Sequence, residues 1–195
     1  MQPIRKAIQQ GFTLVELLIV VIILALLAAI VVPQFASSTD DAKLASLDTT
    51  LSNVRSAIDL YKQQHGEYPG ELTAVDAACT GTDGTGTAAD AGQRAQAFLD
   101  QLSLYTDAQG GACSIKDANF QYGPYLKKGT LPDNPITNVG SALAEFVVVN
   151  AGDLVMAADG ADGGWKYDVL TGKFIANDNT DIDGAGPGTE TYDQR

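Results

Sequence analysis

Cationic side chains, histidine and cysteine are all scarce in this 195-residue chain, and each shortage removes a class of function. Lys+Arg number 12 against 24 Asp+Glu, a formal charge of −12. A phosphate backbone needs a basic face, so nucleic acid is excluded as a primary partner. Such an acidic exterior suits a solvated, secreted or cation-binding surface. The sole histidine, His65, leaves acid–base chemistry to carboxylates, and it lies far in sequence from the only cysteines, Cys79 and Cys113, so a zinc centre lacks ligands. Two cysteines are also too few for a disulfide scaffold. They can close one bridge in an oxidising compartment or stay as two buried thiols. No nucleophile elbow, P-loop, dinucleotide fingerprint or zinc motif occurs, and the chain reads as no enzyme.

Aliphatic residues, by contrast, crowd the start. Leu17 to Val32 is an unbroken apolar run, extended backwards by Phe12-Thr13-Leu14-Val15 with only Glu16 interrupting. As a helix, residues 12–32 reach about 31 Å, the thickness of a bilayer core. Arg5 and Lys6 precede the run and would hold its start on the cytoplasmic side. A secretory signal peptide needs a small-residue cleavage site, for which Phe35-Ala36-Ser37 is poor. A plain signal anchor accounts for the length and the basic flank but not for Glu16. A carboxylate at membrane depth is costly and reads as functional by default, the bland alternative being that it snorkels to the interface.

The stretch Gly11-Phe12-Thr13-Leu14-Val15-Glu16-Leu17-Leu18-Ile19-Val20 resembles the cleavage and methylation signature of type IV prepilins and type II secretion pseudopilins. The resemblance implies cleavage between Gly11 and Phe12 by a prepilin peptidase and N-methylation of Phe12. It implies that the Glu16 carboxylate pairs with the N-terminal amine of a neighbouring subunit in a helical homo-oligomeric filament. A carboxylate in a packed apolar bundle persists only when paired, so such pairing would favour one axial register. Further partners implied are the membrane, an inner-membrane assembly platform and minor pseudopilins. The location implied is the inner membrane, crossed once, with the head in the periplasm and the assembled filament periplasmic or extracellular.

Pro33 removes a helical hydrogen bond and clashes with the preceding turn; it either kinks or locally melts the helix or ends it. Pilins carry a proline at the corresponding place. Beyond it Leu44, Leu47, Leu51, Val54, Ile58 and Tyr61 form one apolar stripe at 3-4-3-4-3 spacing, predicting continuation to a stop at Gly66, with His65 in the last turn as a cation suited to the helix dipole. A two-stranded coiled coil is the weaker reading of that stripe.

The remainder predicts an α+β, pilin-like fold: one long N-terminal helix packed on a small antiparallel sheet of about four strands. Ala95, Phe98, Leu99, Leu102 and Tyr105 recur at helical spacing over about 90–105. Strand signals fall at Glu145–Asn150, Asp153–Ala157, Trp165–Leu170 and Lys173–Ala176, with Asn150-Ala151-Gly152 turning between the first two. The segments are then a leader (1–11), a membrane or filament-core helix (12–35), its amphipathic half (36–65), a head (66–178) and an acidic tail (179–195).

Leu60-Tyr61-Lys62-Gln63-Gln64-His65-Gly66-Glu67-Tyr68-Pro69, Gly123-Pro124-Tyr125-Leu126-Lys127-Lys128 with Leu131-Pro132-Asp133-Asn134-Pro135, and Gly163-Gly164-Trp165-Lys166-Tyr167-Asp168 are similar to segments of the major pseudopilin, the G subunit, of type II secretion systems. The chain departs from that pattern in an insertion around 73–119, in its cysteine pair and in its longer tail. A pilus-forming type IV pilin is the alternative, weakened because no cysteine follows Cys113 to close a C-terminal loop. A monomeric anchored binding protein is a second alternative.

In the tail, Asn179, Asp181, Asp183 and Glu190 stand at positions 1, 3, 5 and 12 of an EF-hand-like calcium loop, with Gly184 at position 6. Pro187 and the absence of flanking helix signals argue instead for a disordered acidic tail. The resemblance implies calcium in a C-terminal loop, which adds Asp159 and Asp162 as candidate ligands.

Overall fold

The computed structural model of the chain describes residues 12–159, 164–179 and 191, with the backbone alone for residues 32–38. Its first element, α1, spans Leu14–His65. The chain up to Ala42 and the chain from Lys43 onward form two separate compact units.

In the first unit, Leu14–Val31 has a mean hydropathy of 3.3 and none of it is buried, so by length and composition this helix can cross a membrane. The helical backbone runs on through position 33. Pro33 therefore does not end α1.

In the second unit the stripe on α1 becomes the core. Leu47, Leu51, Val54, Ile58 and Tyr61 are buried, Ala57 joins them, and Leu44 is half-buried. Asp48, Asp59 and Gln63 lie off the stripe and are exposed. Gly66 stops the helix in the left-handed region at φ 82°, donating to the Lys62 carbonyl. A second helix, α2 (Ala91–Ser103), is capped by Asp90, whose carboxylate accepts the Gln93 amide at 2.9 Å. It buries Ala95, Phe98, Leu99 and Leu102 but ends before Tyr105, which opens a strand.

That strand, β1 (Tyr105–Thr106), pairs antiparallel with β2 (Ala112–Cys113) inside the segment that departs from the G-subunit pattern. The segment is pinned to the head by a buried amide: Gln101 accepts from the Gly70 amide at 2.7 Å and donates to the carbonyls of Gly110 and Leu72. Gly86 lies so close to α2 that a Cβ there would stand 1.9 Å from the Ala97 nitrogen, so no other residue fits.

The main sheet holds three strands, β3 (Phe146–Val149), β4 (Trp165–Asp168) and β5 (Phe174–Ala176), in that order. β4 and β5 pair antiparallel, as a hairpin through Thr171-Gly172 requires. β3 and β4 pair parallel, Phe146 opposite Trp165 and Val149 opposite Asp168. The α+β architecture and small sheet agree with the sequence, but Asp153–Ala157 is not a strand. A parallel pair needs a long crossover, and residues 150–164 supply it. Among its described residues, backbone groups of Ala151, Asp153, Leu154 and Met156 are met by side chains rather than by a sheet ladder. The Asp168 carboxylate accepts the amides of Ala151 and Asp153, and Lys173 Nζ donates to the carbonyls of Leu154 and Met156. β4 is consequently buried on both faces, as central parallel strands are.

Trp165 and Tyr167 point into the core, where Phe98, Phe146 and Phe174 meet them. The Phe98 and Tyr167 rings are 4.7 Å apart, and Trp165 stacks on Phe174 at 5.3 Å.

Candidate functional site

Two regions carry the residues that the sequence singles out. The first is the start of α1. Gly11 lies outside the described residues, and Phe12 stands 83% exposed just before the helix begins. Thr13 and Glu16 form a reciprocal cap. The Glu16 carboxylate accepts the Thr13 amide at 2.9 Å and the Thr13 hydroxyl at 2.8 Å, while the Thr13 hydroxyl oxygen accepts the Glu16 amide at 3.2 Å. This is a capping box, and it folds the carboxylate back over the positive end of the helix. The sequence carried the signal as Thr-x-x-Glu at 13–16, and Thr13 is the functional partner that sequence reasoning missed. Glu16 is thus satisfied within its own chain, by the residue that follows Phe12. Of Pro33 the structure gives only its place inside α1.

The second region is the C-terminal half of the head. Asn179 is exposed, while Asp181, Asp183, Glu190 and Asp162 lie outside the described residues. Asp159 is described, and its carboxylate meets Lys166 Nζ at 2.6 Å. The same ammonium donates to the Ala157 carbonyl at 2.8 Å, and Lys173 Nζ takes the Met156 carbonyl at 3.0 Å. Two lysine ammoniums therefore hold the Asp159 carboxylate and the carbonyls of Leu154, Met156 and Ala157 in the 153–159 loop. Among the described residues no group of three or more His, Cys, Asp or Glu could hold a metal ion. Nothing in the local sequence announces Lys166, Asp168 and Lys173 in these roles, because each acts across the crossover.

Cys79 and Cys113 are joined by a disulfide, closing the inserted segment across 34 residues. His65 is half-buried rather than a solvated cation at the helix end. Its Nε2 lies 3.0 Å from both the Tyr125 and Thr106 hydroxyls, and its ring packs on Tyr61 at 4.1 Å. Burial lowers its pKa, against the smaller opposing influence of the Ala108 backbone and the Asp107 charge.

Comparison with known proteins bears on the first region. Residues 6–32 match the family described as the prokaryotic N-terminal methylation motif. The chain is 41% identical over 69 residues to type II secretion system core protein G of Pseudomonas aeruginosa, covering 35% of this chain and 49% of that one. It is 37% identical over 71 residues to a fimbrial protein of Neisseria meningitidis serogroup B, covering 36% and 42%. It is 52% identical over 48 residues to the type IV narrow pilus major component PilA5 of Thermus thermophilus, covering 25% and 41%. The chain thus spans about half the length of the relatives it matches, or less. No solved structure matches it.

A methylation motif opens an apolar, membrane-length helix that leads into an α+β head, the arrangement that the resemblance to prepilins implies. Through this N-terminal third the chain is similar to type IV pilins and pseudopilins, with likeness to core protein G and to pilus subunits alike.

Proposed function

We propose that this chain is a structural filament subunit rather than an enzyme, and specifically a subunit of a type II secretion pseudopilus. A prepilin peptidase would cut between Gly11 and Phe12, and Phe12 would be N-methylated. Leu14–Val31 would hold the subunit in the inner membrane until an assembly platform, with minor pseudopilins, draws it into a filament. The head would face the periplasm. One observation carries this reading: a membrane-length apolar helix whose single carboxylate, Glu16, is held at its first turn beside the methylation motif. Glu16 would there exchange its Thr13 contacts for the terminal amine of a neighbour.

The test is Glu16→Ala in the full chain. Membrane insertion should persist, because a more apolar helix inserts at least as well, while filament assembly should be lost. Unchanged assembly would remove the pairing mechanism.

A second reading, the major subunit of a type IV pilus, is favoured by the likeness to fimbrial proteins and to the narrow pilus component. Deleting the chain separates the two. Loss of secreted protein with no change in surface filaments supports the pseudopilus; loss of surface filaments with secretion intact supports the pilus.

A further inference from the structure

The Cys79–Cys113 bridge joins two unlike places in the inserted segment. Cys113 stands in β2 and is fully buried. The chain on either side of it is held by backbone bonds. The Gly84 amide donates to the Ala112 carbonyl and the Ala112 amide to the Ala74 carbonyl, both at 2.8 Å, and the Ser114 amide donates to the Thr82 carbonyl at 3.0 Å. Cys79 is half-buried, on a turn whose other residues, Ala77, Ala78, Thr80 and Gly81, are exposed. Its amide donates to the Asp76 carbonyl at 3.0 Å, and the Ala78 amide donates to the Asp76 carboxylate at 2.8 Å.

The inserted segment has anchors besides the bridge. Asp100 Oδ2 accepts the amides of Thr85 and Gly86 at 2.7 and 3.0 Å, and Asp83 Oδ1 accepts the Asp76 amide at 2.9 Å. With the buried Gln101 amide, these contacts fix both cysteine-bearing passes of the chain without help from the sulfurs.

Thiol–disulfide exchange requires a thiolate to reach a sulfur, so access decides which cysteine reacts. Fully buried Cys113 offers no surface to a partner, whereas Cys79 does. We propose that Cys79 is a thiol-exchange site, open to a disulfide carried by a partner, and that Cys113 is the resolving cysteine that acts from inside. The Cys79 thiol loses its proton and attacks one sulfur of the partner disulfide, which breaks and releases one partner thiolate. Cys113 then loses its proton and attacks the Cys79 sulfur, releasing the second. The two cysteines are oxidised, the partner disulfide is reduced to two thiols, and the two protons pass to it. In the opposite direction a partner thiolate attacking Cys79 must expel Cys113 as a thiolate, which burial disfavours, so the bridge opens slowly. The inserted segment folds first and is locked second. This inference stands apart from the filament reading.

The test uses the full chain in detergent, with glutathione disulfide as the probe. Reduced Cys113→Ser should take up glutathione on Cys79 at least tenfold faster than reduced Cys79→Ser takes it up on Cys113, read by intact mass. In denaturant the two rates should converge, because the fold alone separates them. Equal native rates, or faster capture at Cys113, overturn the assignment. The reduced parent chain tests it without any substitution. Brief exposure to N-ethylmaleimide should mark Cys79 first, as mapped by peptide mass. Equal marking of the two cysteines, or Cys113 first, overturns the claim that the segment stands in place before the bridge closes.

Discussion

Replacing Asp168 with alanine should unhinge the crossover. The carboxylate is fully buried and accepts four donors: the amides of Ala151, Asp153 and Leu170 and the hydroxyl of Thr171, at 2.8–3.3 Å. Hydrogen bonds to a charged group contribute about 1.5–3 kcal/mol each in isolation, but they are not additive here. Ala151, Asp153 and Leu170 sit at the exposed side of the crossover and can recover water partners once the carboxylate is gone. Losing the group as a whole should therefore cost about 3 kcal/mol, because it strips neutral donors of a shared partner but leaves no charge unpaired. The Asp168→Asn change keeps one acceptor oxygen for the shortest contact and should cost about half as much.

The assay is built into the chain. Trp165 is the one tryptophan and is fully buried, so its fluorescence reports head unfolding in the detergent-solubilised protein. For a domain of this size 1 kcal/mol moves the midpoint by about 2–4 °C, so Asp168→Ala should melt about 10 °C lower and Asp168→Asn about 5 °C lower. Limited proteolysis should cut within 150–159 first. An Asp168→Ala chain that melts with the parent would refute the claim that side chains, not a strand ladder, satisfy this segment.

Other perturbations follow from the same contacts. Breaking the Cys79–Cys113 bridge by Cys113→Ser with Cys79→Ser frees a loop of 34 residues and should cost about 3–4 kcal/mol by loop-closure entropy, seen as a lower melting midpoint that reducing agent no longer moves. His65, whose folded pKa is pushed below its ordinary 6.5 by burial, binds protons more readily when unfolded; head stability should thus fall as pH drops below about 6.5 and be retained above it. His65→Asn should flatten that part of the profile, and a parent-like acid slope would count against it. For the tail, we propose that Asn179, Asp181, Asp183 and Glu190 take calcium. Titration calorimetry should then give a calcium heat that Asp181→Ala abolishes, whereas Asp159→Ala should leave it unchanged, because Asp159 is held by Lys166.

How much of this was legible beforehand depended on how far apart the interacting residues lie in sequence. Both helices were readable because their signals are local. Leu47 to Tyr61 repeat at helical spacing, Asp90 stands where an N-cap should, and Gly66 marks the stop. The hairpin of β4 and β5 was readable for the same reason, its turn lying between its strands. The partner of β3 was not. Asp153–Ala157 has strand-like composition, and only residues farther along the chain, Asp168 and Lys173, take its backbone groups and convert a meander into a parallel crossover. The two-residue strands β1 and β2 were hidden similarly, since a Gly- and Thr-rich stretch carries no period.

The candidate site divides along the same line. Glu16 stood out as one carboxylate in an apolar run, and the comparison with the methylation motif falls on that very segment. What the structure adds is that the carboxylate already has partners in the single chain. Pairing with a neighbour's amine would then exchange two neutral donors for a cation. It would not rescue a bare charge. The gain for a correct register is therefore a difference between two satisfied states. A misplaced neighbour that offers no amine simply leaves Glu16 on Thr13, at no penalty to the subunit. Under the filament reading this makes Glu16 a selector that rewards one register while leaving the waiting subunit stable in the membrane. Selection of that kind needs a second contact to carry the filament's strength, and under the same reading the exposed apolar face of Leu14–Val31 is large enough to supply it.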